Sequence, residues 1–298
     1  MAPPYEPGRL WQMLTERTRQ AKASGHLHSI ETDAYPLSEK EIPFIVRVAA
    51  NLKRKTEDKK RQSADFNPFL PPETELTVCE LSSTHRAVLN KFNVVDHHLL
   101  IVTRAFEDQE TLLTQRDFAA LWQCLGEYPS LGFYNGGAAA GASQKHKHLQ
   151  LVPLPLYPNT GGDRTPYPFA SLLQIDSPPG VVLTLARLPF QHRWCRLPTE
   201  WSRNPTEAWI DSHQLYLEML SKCGIDTLTQ EGEARQSAPY NLLMTQDWML
   251  LVPRSSEFCE GISVNGLGYL GSLFVTDQAA LDRLRRIGPL QLLRSVSM

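Results

Sequence analysis

The chain has 298 residues, 42% of them hydrophobic and 21% charged, with a formal net charge of -2. That composition suits a globular protein of one large or two ordinary domains, and its balanced charge creates no field that gathers nucleic acid or an anionic membrane. The five cysteines (Cys79, Cys124, Cys195, Cys223 and Cys259) are odd in number, widely spaced and without a CxxC pair, which argues against a disulfide framework and a four-cysteine zinc site.

The opening MAPPYEPGRLWQML lacks a basic stretch followed by an apolar one, and no apolar run approaches the length of a membrane span. A cytoplasmic protein with free thiols is expected. Residues 10–23 read as a short helix, and Ile45, Val46, Val48 and Ala49 as a strand. The strand runs into a basic segment at 53–61, whose default reading is a solvated loop. Residues 66–73, FNPFLPPE, form a proline-punctuated turn. Residues 87–104 hold two strands with a bend at 93–96; His97 and His98 then read as strand-end surface histidines.

In LLTQRDFAALWQCLGEY, Thr114 caps a helix and Asp117 bonds back to the cap. Phe118, Leu121, Trp122 and Leu125 make its apolar face, and Gly126 marks its end. Residues 157–178, rich in Pro, Gly and Ser, connect two halves. A strand at 190–197 and a helix at 206–220 follow. Leu99 to Arg104 (LLIVTR) echoes Met249 to Arg254 (MLLVPR), with Asn90 and Asn241 at similar distances upstream. The echo suggests two related halves, at 1–160 and 161–298, sharing one core. A Gly-punctuated loop and strand at 263–275 and a helix at 278–287 end the chain.

The stretch FYNGGAAAGASQKHKHLQLVPLP carries the chemistry. On a strand, His146, His148 and Gln150 share one face at about 6.5 Å spacing, while Lys147, Leu149 and Leu151 take the other. Such a row suits zinc, but Gln is a poor ligand. It also suits nucleophilic attack on phosphorus by a neutral imidazole, with donors around the phosphate oxygens. The preceding Gly136, Gly137 and Gly141 let the backbone approach an anion, and Asn135, Ser143 and Gln144 add side-chain donors. Loop and row together favour phosphorus chemistry.

HKHLQLVPLP resembles the histidine triad motif with its last His replaced by Gln, the mark of the transferase branch. The longer string FYNGGAAAGASQKHKHLQ, with NPFLPP, LNKFNVVDHHLLIVTR and NGLGYLGSLFV, is similar to the ATP adenylyltransferases, also called diadenosine tetraphosphate phosphorylases. The likeness runs from about residue 44 to 275. The uridylyltransferase branch fits less well, lacking here its His-Pro-His-Pro-Gln and its zinc ligands. The resemblance implies an α+β fold: a histidine-triad-like antiparallel sheet with packed helices, in two related halves. It implies His148 as nucleophile, His146 in support, and Gln150 as an amide where hydrolases carry a third histidine. By the same resemblance, Asn135, Gly141, Ala142, Ser143 and Gln144 bind phosphate, and Asn90 and Lys91 contact the nucleotide. Lys53 or Lys55 reaches the polyphosphate, and Asn265, Gly266, Leu267 and Ser272 complete the substrate site. Relatives carry Met and Lys near Ser272 and Thr276, so this chain departs from them there. Mg2+ is expected with the polyphosphate, and no organic cofactor. The implied partners are diadenosine polyphosphates, ATP, ADP and phosphate, with a monomer as the default state. The rival readings are transfer to a sugar phosphate or from adenylyl sulfate, a non-catalytic nucleotide binder, and a zinc hydrolase.

Overall fold

The computed structural model describes residues 2–49, 66–157 and 165–298. The basic segment with Lys53 and Lys55, and the boundary expected near residue 160, lie outside the described residues.

Helix α1 (Leu10–Ala23) buries Leu10, Leu14, Thr18 and Ala21 along one face. Strands β1 (Thr32–Glu39) and β2 (Ile42–Ala49) form a hairpin. β1 has no counterpart among the expected strands. Its sequence TDAYPLSE lies at a sheet edge, where polar residues and a proline are tolerated and no apolar run is needed. β3 (Thr77–Glu80), β4 (His85–Leu89) and β5 (Leu99–Thr103) follow, the last two flanking the expected bend. Helix α2 (Gln115–Leu125) starts as its sequence indicates. The Thr114 hydroxyl accepts from the Asp117 N–H, and the Asp117 carboxylate accepts from the Thr114 N–H. β6 (Ser130–Gly136) claims the first part of the stretch read as a glycine-rich loop, and β7 (His148–Pro153) carries the motif.

The second half begins with α3 (Ala170–Leu173), β8 (Val182–Leu183), β9 (Arg193–Arg196) and α4 (Thr199–Arg203). Next come α5 (Pro205–Lys222), the hairpin β10 (Thr227–Gln230) and β11 (Glu233–Gln236), then β12 (Tyr240–Met244) and β13 (Trp248–Pro253). The short pair β14 (Phe258–Cys259) and β15 (Ile262–Ser263) precedes a 3-10 turn at Gly266–Leu270, β16 (Ser272–Val275), α6 (Gln278–Ile287) and α7 (Pro289–Val296).

One antiparallel sheet runs through both halves in the order β3-β4-β5-β7-β6-β12-β13-β9-β8. β6 and β12 pair at its centre, with Asn135 opposite Asn241. Outward from that pair the halves mirror each other: β7 corresponds to β13 and β5 to β9. α2 and α5, which precede the two central strands, pack on each other. This corrects the echo. LLIVTR lies on β5, whereas MLLVPR lies on and just after β13, whose true counterpart is β7. β7 and β13 both end in Leu-Val-Pro. Buried apolar strands look alike in sequence, and only pairing decides which are equivalent.

Period-2 alternation feeds a separate core on each face of the sheet. Leu149, Leu151, Leu242 and Leu251 join Leu14, Phe118, Trp122 and Tyr216 of the helical layer. Phe133, Val152, Leu243 and Leu250 join Val46, Leu273, Leu281 and Leu293 on the other face. That second face is covered by the three-stranded sheet β1-β2-β16, in which β16 pairs parallel to β2. Among the described residues no helix is long and apolar enough to cross a membrane.

Candidate active site

The same alternation sets the orientation of β7. Leu149 and Leu151 enter the helical-side core, so His148 and Gln150 look out with Val152 on the opposite face. Lys147 turns to the helical side. It is 1% exposed, and its Nζ lies 2.8 Å from Glu107 and 3.7 Å from Asp117 and donates to the Leu112 carbonyl. Asp117 also meets His85 Nε2 at 2.9 Å. Burial pushes the Asp117 carboxyl up, but the His85 hydrogen bond and the Lys147 charge outweigh it and leave the pKa below its ordinary value.

His148 Nδ1 sits 2.9 Å from the carbonyl of His146. A ring nitrogen against a carbonyl must donate, so the proton is on Nδ1 and Nε2 keeps a lone pair. Burial pushes the imidazole pKa down to about 4, so the ring is neutral near pH 7. Its backbone N–H donates to Gln109 Oε1 at 2.9 Å. Gln109 Nε2 in turn donates to the carbonyls of Asn135 and His148, tying the ends of β6 and β7 together. The Phe69 ring packs 5.5 Å from that of His148.

His146 precedes β7 in a bridge with Asp108. Asn67 Oδ1 accepts from the Phe69 N–H, so its Nδ2 donates to His146 Nδ1 at 2.9 Å. His146 Nε2 then donates to the Thr103 carbonyl at 2.8 Å. Both ring nitrogens are engaged in holding the chain. Burial also lowers the His146 pKa.

Gln150 ends a second directed chain. The Phe92 N–H donates to Asn90 Oδ1, Asn90 Nδ2 to His98 Nδ1 (3.2 Å), and His98 Nε2 to Gln150 Oε1 (3.0 Å). The Gln150 NH2 therefore turns away from His98. His98, expected at the surface, is 8% exposed and belongs to the site. His97 is half-buried instead on α1, with Nδ1 3.1 Å from the Thr18 hydroxyl.

The loop joining β6 to β7 starts with a 3-10 turn at Ala138–Ala140, flanked by Gly137 (φ 95) and Gly141 (φ 92). The N–H groups of Ala140, Gly141 and Ala142 close this turn onto the carbonyls of Gly137 and Ala138. They are not aimed outward, as the glycines alone suggested; the stretch not spent on the turn begins at Ser143. A Cβ on Gly141 would lie 3.0 Å from Asn265 Cα, so glycine is needed for both conformation and space. Asn265 caps the turn at Gly266–Leu270, and the Gly266 N–H donates to Asn135 Oδ1 at 3.1 Å.

The fold thus gathers His146, His148, Gln150, Asn90, Asn135, Gly141, Asn265 and Gly266, with Ala142, Ser143, Gln144 and Leu267 on the adjoining turns. Two expected residues are engaged elsewhere: Lys91 Nζ pairs with Glu73 at 2.8 Å, and the Ser272 hydroxyl with Tyr157. Asn67, Phe69, Gln109 and His98 were not expected as site residues. The NPFLPP motif held the first two; nothing in the sequence singles out Gln109. Among the described residues no group of three or more His, Cys, Asp or Glu is placed to hold a metal ion.

A model described as the Ap4A phosphorylase N-terminal domain matches residues 2–174, and one described as the ATP adenylyltransferase C-terminal domain matches residues 186–298. Protein APA1 of Saccharomyces cerevisiae is 26% identical over 301 residues, covering 93% of this chain and 90% of its own. Diadenosine 5',5'''-P1,P4-tetraphosphate phosphorylase 2 of the same yeast is 27% identical over 303 residues, covering 92% and 90%. The crystal structure of yeast Ap4A phosphorylase Apa2 shares the fold, with a TM-score of 0.79 at 24% identity over 100% of this chain and 99% of its own. That yeast protein is also solved in complex with AMP and with Ap4A. With one model over more than half of its length and the other over most of the remainder, the chain belongs to the Ap4A phosphorylase family, with its ATP adenylyltransferase C-terminal domain.

Proposed function

We propose that the chain phosphorolyses diadenosine tetraphosphate to ATP and ADP, reversibly, through a covalent His148–AMP intermediate. The observation that carries this reading is the state of His148: buried, neutral, and fixed by the His146 carbonyl so that Nε2 bears the lone pair. Nε2 attacks the α-phosphorus, the bond to the bridging oxygen breaks, and ATP leaves. Phosphate then attacks the same phosphorus, the P–N bond breaks and ADP leaves, with the lone pair returned to Nε2. The positive charge that develops on the ring in between is met by the His146 carbonyl.

Gln150 offers its NH2 to a phosphoryl oxygen. An amide cannot relay a proton to or from water, which favours capture of the intermediate by phosphate over hydrolysis. Asn135, Gly141, Ala142, Ser143 and Gln144 line the phosphates. Asn90, Lys91, Asn265, Gly266, Leu267 and Ser272, with Lys53 or Lys55, complete the nucleotide contacts; Lys91 must leave Glu73 to do so, while Ser272, which accepts from the Tyr157 hydroxyl, keeps its own proton to donate. Mg2+ accompanies the polyphosphate, caged mainly by the ligand's own oxygens. The histidine-triad ancestry of the site and a reducing, cytoplasmic setting belong to the same reading; five free cysteines support the latter. The printed names of the yeast relatives support the substrate.

The test is trapping. Dinucleotide labelled at the α-phosphorus, added without phosphate, should leave an acid-labile, base-stable label on His148. Added phosphate should release it as ADP. A chain that never becomes labelled but still turns over the dinucleotide would overturn the covalent route.

A further inference from the structure

Two residues of the corrected echo, Asn241 and Arg254, carry a role that the histidine row does not explain. Arg254 is 0% exposed, and all five N–H groups of its guanidinium have acceptors. Nε donates to the Val296 carbonyl, Nη2 to those of Ser256 and Val264, and Nη1 to Asn241 Oδ1 at 2.5 Å and the Ala140 carbonyl at 3.4 Å. Among the described residues it forms no ion pair with a carboxylate.

A guanidinium only donates, so Asn241 must present Oδ1 to it. The Asn241 NH2 then donates to Asn135 Oδ1 and to the Ala140 carbonyl, both at 2.8 Å. Asn135 Oδ1 therefore takes two donors, Asn241 and the Gly266 N–H. Its NH2 is left on the other side, 3.5 Å from the Gly141 carbonyl. The chain of donors has one direction. Reversing the Asn135 amide would set its NH2 against two other N–H groups.

We infer that Asn241, locked by Arg254, is a positioning residue for adenylyl transfer: it holds the Asn135 NH2 toward the phosphoryl group, so the half that lacks the His-x-His motif orients a donor of the other half. This rests on the phosphate-binding role proposed above for Asn135.

The experiment is a double-mutant cycle read in two ways, AMP affinity by calorimetry and kcat/KM for diadenosine tetraphosphate with phosphate. Asn241→Asp keeps the shape and the acceptor for Arg254 but has no donor for the Ala140 carbonyl, which Arg254 Nη1 still reaches, and none for Asn135, whose amide should then reverse and point Oδ1 at the phosphate. Both readouts should fall about 10- to 100-fold, at least as far as in Asn135→Ala. The double variant Asn135→Ala/Asn241→Asp should be no worse than Asn135→Ala alone, because no amide remains to misdirect. Multiplying losses, or unchanged affinity in Asn241→Asp, would overturn the inference. Should Asn241→Asp not fold, Asn241→Ala runs the cycle with a smaller expected loss, because the Gly266 N–H still holds Asn135 Oδ1 and no new acceptor draws its NH2 away; the double variant with Asn135→Ala should again be no worse than Asn135→Ala alone. A wild-type chain that binds AMP without phosphorolysing the dinucleotide would sink the functional reading, while the cycle in AMP affinity still decides this one. A wild-type chain that binds no AMP would overturn both.

Discussion

Lowering the pH to 5 should barely slow the adenylylation of His148. An imidazole with a pKa of about 4 is about 90% neutral at pH 5, whereas an ordinary one at 6.5 is about 3% neutral. The two cases differ by about 30-fold in competent nucleophile. The same shift acts on stability, with a definite sign. The unfolded histidine titrates near 6.5 and the folded one near 4, so below pH 6.5 the unfolded chain binds more protons and stability falls with falling pH. At pH 5 this one group costs about 2 kcal/mol. His146, His192 and His213, whose pKa values burial also lowers, add in the same direction. The assay is rapid-quench formation of the labelled enzyme without added phosphate, so that titration of the acceptor does not intrude. Circular dichroism at each pH checks that the chain stays folded. A rate falling to half near pH 6.5 in folded protein would refute the account of His148 as a desolvated, carbonyl-locked base.

Three substitutions extend the account. Gln150→His should raise phosphate-independent release of AMP from the labelled enzyme; no rise would count against the amide as the feature that disfavours water. Lys147→Met should cost about 3 kcal/mol in urea unfolding, because Asp117 stays buried without its nearby ammonium and the Leu112 carbonyl loses its donor; a loss below about 1 kcal/mol would show that the cluster is not a structural support of β7. Gly141→Ala forces a side chain to φ 92 and against Asn265, and should weaken AMP binding about tenfold, a loss of the size of such backbone strain, with calorimetry as the check.

Where sequence and fold agreed, the signal was local. Thr114 and Asp117 announce a reciprocal cap within four residues, and Phe118, Leu121, Trp122 and Leu125 announce the buried face of the same helix. Alternation in HKHLQLV placed His148 and Gln150 on one face because a strand permits nothing else. Where they differed, the deciding interactions are distant in sequence. β1 is a strand because β2 pairs with it, not because TDAYPLSE demands it. β6 contains Gly132 and Asn135, yet it is the central strand because both β7 and β12 pair with it. α7, PLQLLRSV, is only eight residues long and carries too little periodic signal beside the stronger pattern of α6. His98 looked like a surface residue because its partner Gln150 lies fifty-two positions away. Gln109 bridges two strand ends with no motif around it. The echo misled because a buried apolar strand carries no label for its neighbours.

The central claim is tested most directly by product analysis with diadenosine tetraphosphate, with and without phosphate, for wild type and His148→Ala. The account predicts ATP and ADP in equal amounts, only when phosphate is present, and neither product from His148→Ala. ATP and AMP formed without phosphate would make the chain a hydrolase and contradict the role given to Gln150. Turnover that survives in His148→Ala would contradict the nucleophile itself.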